Sequence, residues 1–121
     1  MNIQKYMTEL PHTIGHDISV SKAKNMMHEV GCHHLPVLDG GHLVGVISSR
    51  DLNLIESIRG GGETPVEEIM TEEPIVVDPD MDVKEAIKVM MEKRIGSLII
   101  RAKEGRPWGI FTYTDALKVL S

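Results

Sequence analysis

The chain carries one cysteine, Cys32, and four aromatic residues, and no apolar run approaches the eighteen or so residues that a membrane helix needs. A lone cysteine excludes an internal disulfide, so the core alone must hold the fold, as reducing compartments require. With only Tyr6, Trp108, Phe111 and Tyr113 as aromatics, that core must be built from Val, Ile, Leu and Met. Positive charge is also scarce. Thirteen Lys and Arg stand against eighteen Asp and Glu, a formal charge of −5, which offers no positive field to a phosphate backbone. Neither nucleic acid nor membrane is an expected partner, and Met1 to Lys5 lacks the apolar stretch of a signal peptide, so the expected location is cytoplasmic. What is present is 41% apolar and 26% charged residues in 121, too apolar for disorder and enough for one compact domain or two very small ones.

Sliding the sequence against itself reveals an internal repeat. At a shift of 63, Met7, Thr8, Glu9, Pro11, Asp17, Val20, Ala23, Met27, Glu29 and Leu35 fall on Met70, Thr71, Glu72, Pro74, Asp80, Val83, Ala86, Met90, Glu92 and Leu98. At a shift of 64, Gly45-Val46-Ile47-Ser48-Ser49-Arg50-Asp51 overlies Gly109-Ile110-Phe111-Thr112-Tyr113-Thr114-Asp115. Unrelated stretches would share about two identities at typical residue frequencies, so a duplication is the economical account. The expected division is one repeat over 1–59, a Gly-rich linker over 60–65 and a second repeat over 66–121.

Each copy reads the same way. Thr64, Pro65 and Glu67 form a capping-box pattern that predicts a short helix to Met70, with Ile3 to Met7 as its counterpart. Short β-prone stretches follow at His12-Thr13-Ile14 and Ile75-Val76-Val77. Val20, Ala23, Met27 and Val30 after Ser19, and Val83, Ala86 or Ile87, Met90 and Met91 after Asp82, recur at helical spacing. Hairpins are expected around Asp39 to His42 and around Gly105, and a last helix opens at each of Asp51 and Asp115. One such unit buries too little to stand alone, and two packed together can close a core.

The doubled Gly-apolar-apolar-Ser/Thr-x-x-Asp element places a hydroxyl at a strand end and a carboxylate in the first turn of a helix. There the helix dipole favours the ionised form, which offers only acceptors and suits a ribose diol. A plain helix start would use the same residues, and Gly45 and Gly109 would equally serve close strand packing. Recurrence of the whole element in both copies favours a ligand site.

Met-Thr-x-x-Pro at 7 to 11 and 70 to 74, His-Leu-Pro-Val at 34 to 37 and the two Ser/Thr-x-x-Asp elements together resemble a tandem pair of CBS domains, over residues 3 to 120. The resemblance implies an α+β fold, two pseudo-twofold-related β-α-β-β-α repeats packed through small sheets. It also implies clefts between the repeats that take adenosyl compounds such as AMP, ADP, ATP or S-adenosylmethionine. Asp51 and Asp115 would take the ribose, with Ser48 and Thr112 lining the same clefts. His12, Thr13 and Ile14, and Ile75, Val76 and Val77, would flank the adenine. No obligatory cofactor is implied. A regulatory module that signals occupancy to an effector protein is the expected function; a structural adapter with idle clefts, or one binding S-adenosylmethionine or NAD, is the alternative.

The copies diverge where phosphate would sit. The first has Arg50, His33 and His34, the second Thr114, Gly96 and Ser97, so unequal affinities are expected, with the Asp51 side favoured for a phosphorylated ligand. His28 and Cys32, four apart, suggest a metal pair, but Gly31 should end that helix and the other copy has Met91 and Ile95 there. The Met26-Met27 and Met90-Met91 pairs widen the apolar stripes of both long helices, either as core filling or, as the resemblance suggests, as a homodimer surface. Phosphate loops, nucleophile elbows and paired zinc motifs are missing, and an enzyme is not expected.

Overall fold

In the computed structural model, which describes residues 1–121, the elements run β1 (Thr8–Glu9), β2 (Ile14–Gly15), α1 (Val20–Val30), β3 (His34–Asp39), β4 (His42–Ser48) and α2 (Ser49–Glu56), then β5 (Thr71–Glu72), β6 (Val76–Val77), α3 (Val83–Lys93), β7 (Ser97–Ile100), β8 (Gly109–Thr112) and α4 (Tyr113–Leu120). Single 3-10 turns stand at Ile3–Lys5, Gly61–Glu63 and Val66–Glu68. The fold is α+β, with two four-stranded sheets of order β2-β3-β4-β5 and β1-β8-β7-β6.

The long helices form where the apolar spacing predicts them. Ser19 accepts from the Lys22 N–H at 3.3 Å to open α1, and Asp82 accepts from the Lys84 N–H at 3.1 Å to open α3. Val20, Ala23 and Met27 of α1, and Val83, Ala86, Ile87 and Met90 of α3, point into the cores. Both hairpins form as expected.

The chain groups into two compact units, His12–Pro74 on one hand and Met1–Pro11 with Ile75–Ser121 on the other. These do not coincide with the division at 1–59, 60–65 and 66–121. The segment opening each sequence copy supplies the outer strand of the sheet built from the other copy: β1 runs antiparallel to β8, and β5 to β4. In the unit His12–Pro74, Leu35, Val37, Ile47, Leu52 and Val66 pack with the α1 residues. In the other unit, Ile3, Leu98, Ile100, Phe111 and Ala116 pack with those of α3.

Two local expectations are corrected. The capping box at Thr64 does not form a helix; Pro65 is extended at ψ 142° and only a 3-10 turn follows. The backbone there is committed elsewhere, since the Val20 N–H donates to Thr64 O and the Val66 N–H to Ile18 O, both at 2.8 Å. Within the expected linker at 60–65, Gly61 is closely packed, since a Cβ there would collide with Ile55 O. Finally, α2 and α4 begin two residues before Asp51 and Asp115, which makes each aspartate the third helical residue.

Candidate functional site

The motif glycines are explained by their neighbours. A Cβ on Gly45 would stand 2.5 Å from the Met70 sulfur and 2.9 Å from Thr71 O; on Gly109 it would stand 2.6 Å from the Met7 sulfur and 2.7 Å from Thr8 O. The Met-Thr pair that opens each copy therefore lies directly over the glycine of the hairpin it pairs with. Two motifs that look independent in the sequence are one packing contact, repeated.

Beyond the glycine, each unit builds the same corner. In the unit His12–Pro74, Ser48 ends β4 opposite His34, which begins β3. The Ser48 hydroxyl donates to Asp51 Oδ2 at 2.9 Å and accepts from the Asp51 N–H at 3.2 Å. His33 is exposed, with Nδ1 3.2 Å from Ser49 Oγ, and its carbonyl accepts from the Ser49 N–H at 2.8 Å. Because β2 runs parallel to β3 with Ile14 beside Val37, the preceding His12 and Thr13 lie at the same end of the sheet as His34 and Ser48. Arg50, second in α2, is exposed.

The other unit repeats the corner. Ser97 opens β7 opposite Thr112, and the Tyr113 N–H donates to Gly96 O at 3.1 Å. Asp115 Oδ2 accepts from the Thr112 N–H at 2.8 Å and from the Thr112 hydroxyl at 3.1 Å. Asp115 is 9% exposed, whereas Asp51 is half-buried. Ile75 precedes β6 and accepts from the Ile99 N–H at 2.9 Å; Val76 is exposed, Val77 is half-buried, and Thr114 is exposed.

Both aspartates thus do part of the work of a helix start, as the plain reading of the motif allowed. The hydrogen bonds to the carboxylates fall on Oδ2 in each case, and no buried side-chain oxygen or nitrogen lacks a partner. Of the residues expected to flank a base, Ile14 is 4% exposed and packs into the core, leaving its backbone rather than its side chain at the corner. Ser49, which touches His33, carries no repeat signal because Tyr113 replaces it.

The remaining candidates resolve differently. Gly31 ends α1 in the left-handed region, so Cys32 lies beyond the helix that would have set it over His28, and no group of three or more His, Cys, Asp or Glu side chains is arranged to hold a metal ion. Burial pushes the Cys32 thiol up, away from the nucleophilic thiolate. Met27 and Met90 are core residues and Met26 is half-buried, while Met91 is 74% exposed, so the methionine pairs do not form matching surfaces. The larger exposed apolar stripe is on α4, at Tyr113, Leu117 and Leu120. No helix is long and apolar enough to cross a membrane.

Comparison with known proteins places this arrangement. The chain is 35% identical over 103 residues to inosine-5'-monophosphate dehydrogenase of Korarchaeum cryptofilum, a match spanning 85% of the chain but about a fifth of that enzyme, 21%. The match runs through the CBS region and does not show an enzyme here. Its structure resembles the CBS domain pair of protein MJ0100 in complex with 5'-methylthioadenosine and S-adenosyl-L-methionine, at TM-score 0.86 and 26% identity, over 99% of this chain and 95% of that one. It also resembles CBSX2 in complex with AMP, at TM-score 0.79 and 25% identity, over 98% and 95%. The CBS domain family model matches residues 3–54 and again 66–121, and with two copies of its corner in place the chain belongs to the CBS domain family as a tandem pair.

Proposed function

We propose that the chain is a regulatory module that binds an adenosyl ligand, AMP, ADP or ATP, at the Ser/Thr-x-x-Asp corner of each unit and conveys occupancy to an effector protein. The observation that carries this reading is the doubled corner itself. Each unit presents a hydroxyl, a carboxylate whose hydrogen bonds fall on one oxygen, and the opening segment of an outer strand at one end of its sheet. A carboxylate of that kind accepts from both hydroxyls of a ribose, as an acidic residue does in dinucleotide folds. The complexes of similar CBS pairs with AMP and with S-adenosyl-L-methionine support the ligand class. The site residues of one unit are His12, Thr13, Ile14, His33, His34, Ser48, Arg50 and Asp51; those of the other are Ile75, Val76, Val77, Thr112, Thr114 and Asp115.

Arg50, His33 and His34 favour a phosphorylated ligand in the first unit over a cationic sulfonium, and Gly96, Ser97 and Thr114 supply no cation in the second. Signalling follows by linkage: the ligand shifts the module toward the state it binds more tightly, by no more than its differential affinity. The module is proposed to work in the cytoplasm, without catalysis.

Calorimetric titration with AMP, ADP, ATP, NADH and S-adenosylmethionine tests this. Saturable binding of AMP or ATP that weakens at least tenfold in Asp51→Asn is the expected result. No heat and no melting shift with any of the five at millimolar concentration would sink the reading.

A second reading, a self-associating adapter, is favoured by one observation, the exposed Tyr113, Leu117 and Leu120 stripe on α4. The proposed homodimer would use this face rather than the methionines of α1 and α3. Light scattering of the wild type and of Leu117→Glu separates the two surfaces: a dimer lost in the variant supports α4, and a monomeric wild type refutes both.

A further inference from the structure

Each unit ties three elements together at the end of its sheet away from the candidate corner. In the unit containing Met1–Pro11, the hub is Arg106, from the loop joining β7 to β8. It donates to both oxygens of Asp80, at 2.9 and 3.3 Å, and to Gln4 Oε1 at 2.9 Å. Asp80 belongs to the turn after β6, and Gln4 to the 3-10 turn that leads into β1.

In the unit His12–Pro74, the hub is His16, in the turn after β2. Its Nδ1 is 2.5 Å from Glu67 Oε2, and its Nε2 is 3.4 Å from Asp39 Oδ1 at the hairpin tip. Glu67 lies in the 3-10 turn that leads into β5, and it is the repeat equivalent of Gln4 at the shift of 63. The same three elements are joined in both units, once through a guanidinium and once through an imidazole.

That substitution changes the chemistry. A guanidinium stays charged and keeps all its donors at any ordinary pH. A neutral imidazole has one N–H, and it cannot donate to two carboxylates at once; only the doubly protonated ring satisfies both Glu67 and Asp39. Every charged group facing His16 is acidic: Asp17 from its own turn, Asp39 from the hairpin and Glu67 from the 3-10 turn. His42, opposite Asp39 across the hairpin, is the other titratable group at the tip. The bond from Glu67, and then the fields of Asp39 and Asp17, raise the His16 pKa above its ordinary 6.5 against the pull of burial. A raised folded-state pKa contributes stability that is complete below 6.5 and is lost as pH climbs through the folded value.

We propose that His16 is a proton-operated clasp: doubly protonated, it pins residues 61–70 to their unit, and loss of one proton releases an arm and loosens that segment while the Arg106 clasp holds unchanged. The segment is anchored besides by the Val20 N–H on Thr64 O, the Val66 N–H on Ile18 O and the Glu67 N–H on His16 O, so the effect is a change in local opening and not detachment. The inference does not depend on a ligand at either corner.

Hydrogen exchange read by mass spectrometry on the full chain, at about pH 6 and about pH 8.5 with exchange times scaled for intrinsic rates, tests it with an internal control. Protection of peptide 61–70 should fall roughly two- to fourfold at the higher pH, an effect of the size a half-exposed ion pair supports, while peptide 1–9 keeps its protection. His16→Gln should show the lower protection at both pH values, and Glu67→Gln should reproduce it. An equal response of the two peptides in the wild type, or a pH response of peptide 61–70 that survives in His16→Gln, would overturn the proposal.

Discussion

The two units share strand order, register and the glycine contact, and they differ in what stands at the ends of those strands. At one end of the sheet, His33, His34 and Arg50 face Gly96, Ser97 and Thr114 at the equivalent positions. At the other, an imidazole clasp answers a guanidinium clasp. α1 ends on Gly31 and α3 on Arg94, both left-handed. The lesson is a division of labour along the chain: duplicated residues that recur unchanged are mostly scaffold, and the pairs that diverged set local charge and backbone strain on that scaffold.

The sharpest way to break this comparison is to attack what the units share. Gly45→Ala and Gly109→Ala should each destabilise by about 1–3 kcal/mol, because the added carbon meets a backbone carbonyl at 2.9 or 2.7 Å that cannot swing aside. Urea unfolding of both variants measures it. Similar losses sustain the idea of one contact used twice; a loss in only one unit would mean that the Met-Thr strand is essential to only one sheet.

A smaller difference is expected at the aspartates. Asp115 is buried and accepts from both the backbone N–H and the hydroxyl of Thr112, whereas Asp51 is bonded by the Ser48 hydroxyl alone. Asp115→Ala should cost about 1–2 kcal/mol and Asp51→Ala less than about 1 kcal/mol. Thermal melts without ligand provide the number. If Asp51 proves the costlier in the empty protein, its main task is structural and its availability to a ribose is weakened.

Much of this was legible in the sequence. The repeat, both long helices with their Ser19 and Asp82 caps, and both hairpins follow from period and turn chemistry. Recurrence singles out Ser48, Asp51, Thr112 and Asp115 as candidates, and the resemblance adds the strand residues beside them. Hidden were features that depend on contacts distant in the chain. β1 and β5 are two exposed residues each, with no alternation to detect, and they exist because a glycine in another hairpin leaves room for Met7 or Met70. The capping box at Thr64 failed for the same reason, its backbone groups being taken up by residues 18 and 20. His16 and Arg106 share no repeat position, so their common role shows only once the elements they join are assembled.

The helix ends offer a comparison with opposite signs. Arg94 holds φ 54° and ψ 46°, a conformation that burdens any residue with a Cβ, while Gly31 holds φ 72° and ψ 36° without that burden. Arg94→Gly should stabilise by about 1 kcal/mol and Gly31→Ala should destabilise by about the same, since a Cβ at Gly31 meets nothing within 4 Å and only the backbone cost remains. Denaturant midpoints of the two variants decide the matter, and movement in the same direction would show that Arg94 contributes a contact that outweighs its strain.

The least effect, and the one that best separates the clasps, lies in the pH dependence. The hydrogen bond from Arg106, with the nearby Arg106 and Lys103 charges, holds the Asp80 carboxyl below its ordinary 3.8 against the opposing effect of burial. A depressed carboxyl contributes stability that is present above 3.8 and is lost as pH falls through the lower folded value. The melting difference between wild type and Asp80→Asn should therefore be level through the neutral range and shrink in acid, whereas the difference for His16→Gln should be level in mild acid and shrink as pH rises past neutrality. Melting curves for both variants at closely spaced pH values distinguish the limbs. Parallel profiles would mean that the two clasps titrate together and that the imidazole brings no pH response of its own; crossing profiles would show one architecture secured twice, by bonds that fail at opposite ends of the pH scale.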